Sequence, residues 1–289
     1  MNKASVLSGN QMDIEARFGF KSGRFTSTNT WLAFLGGAIL AGAWYGLMKL
    51  LQAYSPNLIY FYEPFLRHGN LTTVIPATFL FFTSCMILLV KGSKIRHQQK
   101  AFEWAVVPAQ HEFVLTEKTA RAVLERIHTI VSDPKDFILL NRIERALSNL
   151  HHLGQVSEVS SVLRGQAVDD ENAIGGSFTL LHGFVWAMPV LGFIGTVQGL
   201  STAVGGFGAV LAASSSLDQI KNALKGVTGG LSTGFEATLV ALIFSLIVQI
   251  WITFRQRQEL SLLDECSEYC QAYVISKLRL NTKDESSTS

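Results

Sequence analysis

Hydroxyl side chains recur at helical spacing within two of the most apolar stretches of the chain. Thr196 lies in "PVLGFIGTVQGL", and Thr238 and Ser245 lie in "GLSTGFEATLVALIFSLI". At about 100° per residue, Thr238, Ser245 and Gln249 fall within about 20° of one line along a helix. A hydroxyl can hydrogen-bond a water molecule or a carboxylate, but it cannot carry net charge as a proton-binding group. Thr196, Thr238 and Ser245 therefore indicate one half of an ion pathway.

An ionisable group is the other half, and Glu236 is the only carboxylate within these two stretches. It lies about 200° around the helix from Thr238, so it faces a different side. A position near the N-terminal end of its helix also stabilises a carboxylate through the helix dipole, which leaves a structural role for Glu236 equally open. If an ion crosses here, we expect the missing carboxylate to come from another chain.

Small or compact side chains follow one face of the first of these stretches, at Pro189, Gly192, Thr196, Gly199 and Ala203. Gly195 and Gly199 add the GxxxG spacing on an adjoining strip. Such faces let helices approach closely in a membrane. The glycines and Pro189 are therefore expected to serve helix packing or partner contact. Packing alone explains the stripe, whereas packing together with the hydroxyl track favours transport.

Four apolar segments are long enough to position these residues in a bilayer. The chain is 48% hydrophobic and only 16% charged, and a hydrocarbon core of about 30 Å needs about 20 apolar residues in a helix. The candidate spans are 31–51, 71–90, a segment within the charge-free stretch 173–217, and about 226–254. We therefore predict an all-α, polytopic membrane protein with four transmembrane helices and helical cytoplasmic extensions.

The basic residues predict the orientation of the spans. Positive side chains are retained on the cytoplasmic side, and they cluster before the first span, after the second and after the fourth. Both termini are therefore expected to be cytoplasmic. The organisation is a cytoplasmic segment 1–30, spans one and two with their outer loop in 31–92, a cytoplasmic helical region 93–174, spans three and four in 175–255, and a cytoplasmic helix and tail in 256–289.

Local patterns refine the cytoplasmic and loop regions. Val123 and Ile127 recur at helical spacing among charged residues, and "DPKDFILLNRIERAL" reads as a turn followed by a second amphipathic helix. The glycine- and acid-rich segment 165–176 predicts a break before the third span. "GGFG" at 205–208 predicts a turn in an outer loop of about 205–225.

Several functional classes find no support in the sequence. The 24 basic and 22 acidic residues are too balanced for a nucleic-acid footprint. Cys266 and Cys270 lie four residues apart without nearby partners, which makes a weak metal site. No phosphate-binding glycine loop, zinc spacing or nucleophile elbow occurs. We expect a protein that is not an enzyme, with no catalytic residue, no metal and no cofactor.

Two motifs resemble a known family. "WAMPVLGFIGTVQGLSTAV" and "GLSTGFEATLVALIFSLI" are similar to the paired helices of the MotA/TolQ/ExbB proton-channel family, whose members show a P-x-LG-x-x-GTV-x-G segment. The resemblance covers about residues 175–275. Thr196 and Thr238 match the pore-lining threonines of the family, and Pro189 matches the proline that opens its first motif. Gly234 replaces a more frequent alanine, and Glu236 falls where some relatives place an acidic residue.

The resemblance implies a homo-oligomer, a ring of five subunits, in the bacterial inner (cytoplasmic) membrane. The ring would surround two copies of a single-span MotB/TolR/ExbD-like partner, and each copy would supply an Asp that is protonated and released in turn. Protons, or sodium ions, would be the coupling ion and would drive rotation or conformational work. Four spans with both ends inside resemble flagellar stators, while the first motif is closer to the TolQ/ExbB pattern. The process that is powered stays open.

Overall fold

The computed structural model describes residues 25–104, 106–108, 113–131, 133–148, 150, 156–212 and 217–279. The polar N-terminal residues 1–24 and the C-terminal tail from 280 onward, both assigned to the cytoplasm above, lie outside the described residues. Eight α-helices occur in the described part of the chain: α1 Thr30–Tyr54, α2 Ile59–Leu66, α3 Leu71–Glu103, α4 Glu117–Ile130, α5 Ile138–Ser148, α6 Val156–Ser177, α7 Thr179–Ala212 and α8 Leu217–Tyr269. A π-helical turn, Cys270–Ile275, continues α8.

Four helical stretches of the described chain are long and apolar enough to cross a membrane: Thr30–Tyr54, His68–Glu103, Val156–Gly208 and Leu217–Ile275. No β-strand occurs among the described residues, and the only bridge between extended segments there joins Leu115 and Leu278. The predicted all-α class with four membrane-length helices is confirmed.

Two compact units divide the chain. The first unit comprises Thr30–Leu89 and Phe178–Phe254 and holds the helical segments that carry the hydroxyl residues. Aromatic rings fill much of its interior: the indole of Trp44 packs within 5.5 Å of Phe65 and 5.6 Å of Phe82, measured between ring centroids, and Phe81 stacks on Phe244 at 4.1 Å. These rings bury large apolar areas where α1, α2, α3 and α8 meet.

The second unit comprises the described parts of 1–29, 90–177 and 255–289. Its α4 begins after Thr116, which forms a reciprocal capping box with Thr119. The side-chain amide of Gln98 accepts a hydrogen bond from the Ile138 backbone N–H and so satisfies a donor at the start of α5.

The predicted amphipathic helices are confirmed in this unit. In α4, Val123 and Ile127 are buried while Arg121, Glu125 and Arg126 are exposed. A short 3₁₀ turn, Pro134–Asp136, precedes α5, as the "DPKD" segment predicts.

Two predicted interruptions are wrong. Residues 165–176 are helical within α6, because Asp170 and Ile174 are buried and Asp170 is ion-paired; tertiary contacts there outweigh the low helix propensity of glycine and aspartate. The "GGFG" segment 205–208 is also helical, within α7. The connection between α7 and α8 is therefore shorter than the predicted loop 205–225, since α8 already begins at Leu217.

Candidate functional site: the hydroxyl and glycine seam of the first unit

Helices α7 and α8 approach each other closely along a row of glycines. A Cβ atom built on Gly199 would lie 2.5 Å from the Gly230 carbonyl oxygen, and one on Gly192 would lie 2.9 Å from Thr238 Cα. In the reverse direction, a Cβ on Gly234 would lie 2.8 Å from Thr196 Cα. We call these contacts the glycine seam. The small stripe of α7 therefore packs against α8 of the same chain.

The side chains of Thr196 and Thr238 meet at this seam. Their hydroxyl oxygens lie 3.3 Å apart. Thr238 also donates across the interface to the Gly192 carbonyl at 2.7 Å, and Thr196 donates to the Phe193 carbonyl of its own helix at 2.8 Å. Both threonines are only half-buried. The structure thus brings together the two threonines that the motifs single out, each next to a backbone carbonyl.

Ser245 also donates a hydrogen bond to α7, at a position where Pro189 leaves a backbone carbonyl without its helical partner. A proline has no backbone N–H, so the carbonyl four residues earlier loses its helical donor. For Pro189 that carbonyl belongs to Val185, and the Ser245 hydroxyl donates to it at 2.8 Å. Ser245 is buried. The hydroxyl therefore satisfies the carbonyl that Pro189 leaves without its helical partner, about two helical turns from Thr238.

Helix α3 completes the seam. A Cβ on Gly195 would lie 2.9 Å from both Thr73 Oγ1 and Ala237 Cβ, and the Thr72 hydroxyl donates to the Gln198 side chain at 3.0 Å. Gly195 thus faces α3 as well as α8, so that the strip carrying Gly195 and the strip carrying Thr196 are both in contact with other helices.

Glu236 belongs to a separate cluster around Arg67. The guanidinium of Arg67 lies 3.1 Å from Glu236 Oε1 and pairs with Glu63 as well. Arg67 donates to Thr233, and Ser232 donates to Glu236 at 3.2 Å. Sequence reasoning placed Glu236 away from Thr238 but missed Arg67 as its partner. The available signal was that Arg67 is the only lysine or arginine between the first two spans.

A second charged contact, in the second unit, was also missed. The Lys91 ammonium donates to Glu259 Oε1 at 3.0 Å and to the Ser177 hydroxyl at 2.7 Å, and the side chains of Lys91 and Glu259 are fully buried. Lys91 is the first charge after the charge-free second span. That position predicts a residue at the end of the second membrane span, but it does not indicate with which acidic residue Lys91 pairs.

The described part of the chain contains no group of three or more His, Cys, Asp or Glu side chains arranged to hold a metal ion. Cys266 and Cys270 are buried free thiols. The site is therefore a set of neutral hydroxyls and carbonyls between membrane-length helices.

Comparison with known proteins gives no match among family models, curated proteins or solved structures.

Proposed function

We propose that this chain is the pore-forming ring subunit of an ion-driven complex in the bacterial inner membrane, energised by protons or, alternatively, by sodium ions. Five copies would surround a single-span partner that supplies a membrane Asp, and ion flow would drive rotation or conformational work of that partner. Both termini would be cytoplasmic. The observation that carries the proposal is the facing pair Thr196 and Thr238, held 3.3 Å apart between two membrane-length helices.

The hydroxyl pair suits contact with a carboxylate from another chain. Hydroxyls can donate to a carboxylate when it is ionised and accept from it when it is protonated, so the same two groups serve both states. Thr196 and Thr238 are half-buried and so retain accessible surface. Glu236 is a poor substitute for the external acid, because its Oε1 pairs with Arg67, which also pairs with Glu63, and not with the threonine pair.

The surface beside the pair leaves room for other subunits. Phe193, Val197, Phe235 and Leu239 on α7 and α8 each expose more than half of their surface. Apolar residues exposed along membrane-length helices face lipid or another helix. Contact with neighbouring copies and with a partner helix would cover part of this surface.

The alternative is a non-conducting scaffold or receptor whose seam serves only packing. It is favoured by the bonding of Thr238 to the Gly192 carbonyl and of Ser245 to the Val185 carbonyl. Interhelical hydrogen bonds of this kind stabilise membrane helices without any transport.

Proton flux separates the two functions. The chain is co-expressed with a single-span membrane protein that carries an Asp, sought in the neighbouring reading frames, and the two are reconstituted in liposomes. Flux is assayed with a pH-sensitive dye under an imposed potential. We expect Thr238→Val to lower the flux at least about ten-fold, because the hydroxyl is lost at constant shape, equivalent to about 1.4 kcal/mol in the barrier. Thr238→Ser, which keeps the hydroxyl, should retain most of the flux.

Thr253→Val is the matched control. Thr253 is an exposed threonine on α8 whose hydroxyl, among the described residues, donates within its own helix to the Gln249 carbonyl. Its replacement should leave the flux unchanged. Equal flux in wild type and Thr238→Val would refute the assignment of the threonine pair to the ion pathway. A purified complex that contains no partner chain by native mass spectrometry would refute the proposed assembly.

A further inference from the structure

An open cavity of about 300 Å³ lies in the second unit, bordered by α5, α6 and the end of α8. This volume is at the lower end of the range for small-molecule sites. The cavity is lined by both charged and apolar side chains, and none of its lining residues takes part in the hydroxyl and glycine seam.

A buried arginine with spare hydrogen-bonding capacity lines this cavity. Arg142 is 1% exposed; its Nε donates to Asp170 at 2.8 Å and its Nη1 donates to Ser267 at 2.9 Å. Its Nη2 is buried and has no hydrogen-bond partner among the described residues. A buried donor without an acceptor costs free energy. An anionic oxygen entering the cavity is the partner that would remove this cost.

The rest of the polar lining also favours an anion. Arg164 lines the same cavity from an exposed position on α6, and Ser160 adds a hydroxyl. The Ser267 hydroxyl donates to the Leu263 carbonyl at 2.9 Å and accepts from Arg142, so it holds the arginine in place. Among the described residues that line the cavity there is no carboxylate, and Asp170 balances one of the two guanidinium charges. The remaining positive charge and the fork of donors on arginine match a phosphate.

Apolar residues and an irregular backbone form another part of the lining. Leu163, Ala167 and Ile275 supply apolar surface. The Cys270–Ile275 segment is π-helical, and the Ser276 N–H donates to the Gln271 carbonyl five residues earlier. Single π turns are rare and concentrate at functional sites.

We propose that this cavity binds a small soluble organic phosphate, with the phosphate held by Arg142 and Arg164 and the organic part against Leu163, Ala167 and Ile275. A free molecule fits better than a lipid headgroup. Ser267, which lines the cavity, lies in the sequence beyond Phe254, where the predicted fourth span ends. The proposal goes beyond ion conduction and does not depend on it.

Binding is tested by calorimetry on the full chain in nanodiscs with phenyl phosphate as the probe. Inorganic phosphate tests the anionic part alone, phenol the apolar part alone, and dihexanoyl phosphatidic acid the lipid source. We expect phenyl phosphate to bind at least about ten-fold more tightly than any of the other three. No heat from phenyl phosphate at millimolar concentration would overturn the proposal, and tighter binding of the phosphatidic acid would overturn the soluble class.

Variants locate the site without removing the buried Arg142–Asp170 pair. Arg164→Gln removes an exposed charge and should weaken phenyl phosphate binding at least about ten-fold, the range of one charge-assisted hydrogen bond. Ala167→Phe fills the cavity without changing charge and should abolish binding. The matched control Arg126→Gln removes an exposed arginine outside the lining and should bind as wild type does. If Arg126→Gln weakened phenyl phosphate binding as much as Arg164→Gln does, general charge attraction would explain the binding. Unchanged binding in Ala167→Phe would show that the ligand does not occupy the cavity. Either result would refute the site.

Discussion

The two units of the protein hold long helices together with different polar groups. In the first unit, α7 and α8 are joined by neutral hydroxyls that donate to backbone carbonyls, as Thr238 does to Gly192 and Ser245 to Val185. In the second unit, α3 and α8 are joined by the fully buried ions Lys91 and Glu259. Each solution pairs polar groups between helices, but the cost of losing one partner differs.

A neutral interhelical hydrogen bond in a membrane contributes roughly 0.6 kcal/mol, with a maximum near 1.7 kcal/mol. Breaking a buried ion pair by removing one partner costs about 3–5 kcal/mol, because an uncompensated charge remains. The seam of the first unit can therefore lose a hydroxyl and keep its fold. The second unit cannot lose one ion so cheaply.

The largest expected effect is that of Lys91→Met. It leaves Glu259 buried and unpaired, and we expect the free energy of unfolding to fall by about 3–5 kcal/mol, measured by titration with SDS in mixed micelles. Lys91→Met combined with Glu259→Met should recover most of this loss, because no buried charge remains. Lys100→Met, at an exposed position on the same helix, should stay within about 0.5 kcal/mol of wild type. A double variant less stable than Lys91→Met would remove the contrast between the units.

An intermediate effect is expected for Gly199→Ala. The new Cβ would lie 2.5 Å from the Gly230 carbonyl oxygen, which is backbone and cannot rotate away. Overpacking of this kind costs about 1–3 kcal/mol in the same SDS titration. Gly205→Ala is the control on α7, because a Cβ there meets nothing within 4 Å; it should be neutral or slightly stabilising, since alanine favours helix. Equal changes in both variants would mean that close approach does not hold the seam.

The smallest effect is expected for Glu236→Gln. The side chains of Arg67 and Glu236 are 28% and 25% exposed, so water screens their pairing. Such pairs contribute about 0–1 kcal/mol, and the contribution falls as salt rises. The difference from wild type should shrink between low and high NaCl in SDS titrations. Suppose instead that Glu236→Gln lowered the free energy of unfolding as much as Lys91→Met does, at every salt concentration. The stability lost with an ion pair would then depend on its charge and not on its burial.

The sequence predicts the class of the fold well because charge-free runs of membrane length are a composition signal. It also identifies the face of α7 that packs, since Gly192 and Gly199 recur at helical period. It does not identify the partner of that face, and α8 of the same chain occupies it. The bond from Ser245 to the carbonyl freed by Pro189 was missed for the same reason: periodicity describes one helix and not the helix opposite.

The predicted break at 165–176 failed for a related reason. Glycines and acids in sequence favour a turn, but Asp170 is held by Arg142 at 2.8 Å and Ile174 is buried. Both contacts come from residues distant in the sequence or from the folded interior. The pairings of Arg67 with Glu236 and of Lys91 with Glu259 likewise join residues far apart along the chain, so their charges could be located from the sequence but not matched.

The bridge between Leu115 and the segment around Leu278 bears on how the protein is synthesised. The Leu115 N–H donates to the Lys277 carbonyl at 2.7 Å, the Arg279 N–H donates to the Leu115 carbonyl at 3.1 Å, and both leucine side chains are buried. A ribosome delivers Leu278 only after all four membrane-length helices, so the apolar faces of α4 and α5 emerge long before the segment that pairs with Leu115. A nascent chain stalled before Lys277 would therefore present an unfinished surface to chaperones and proteases.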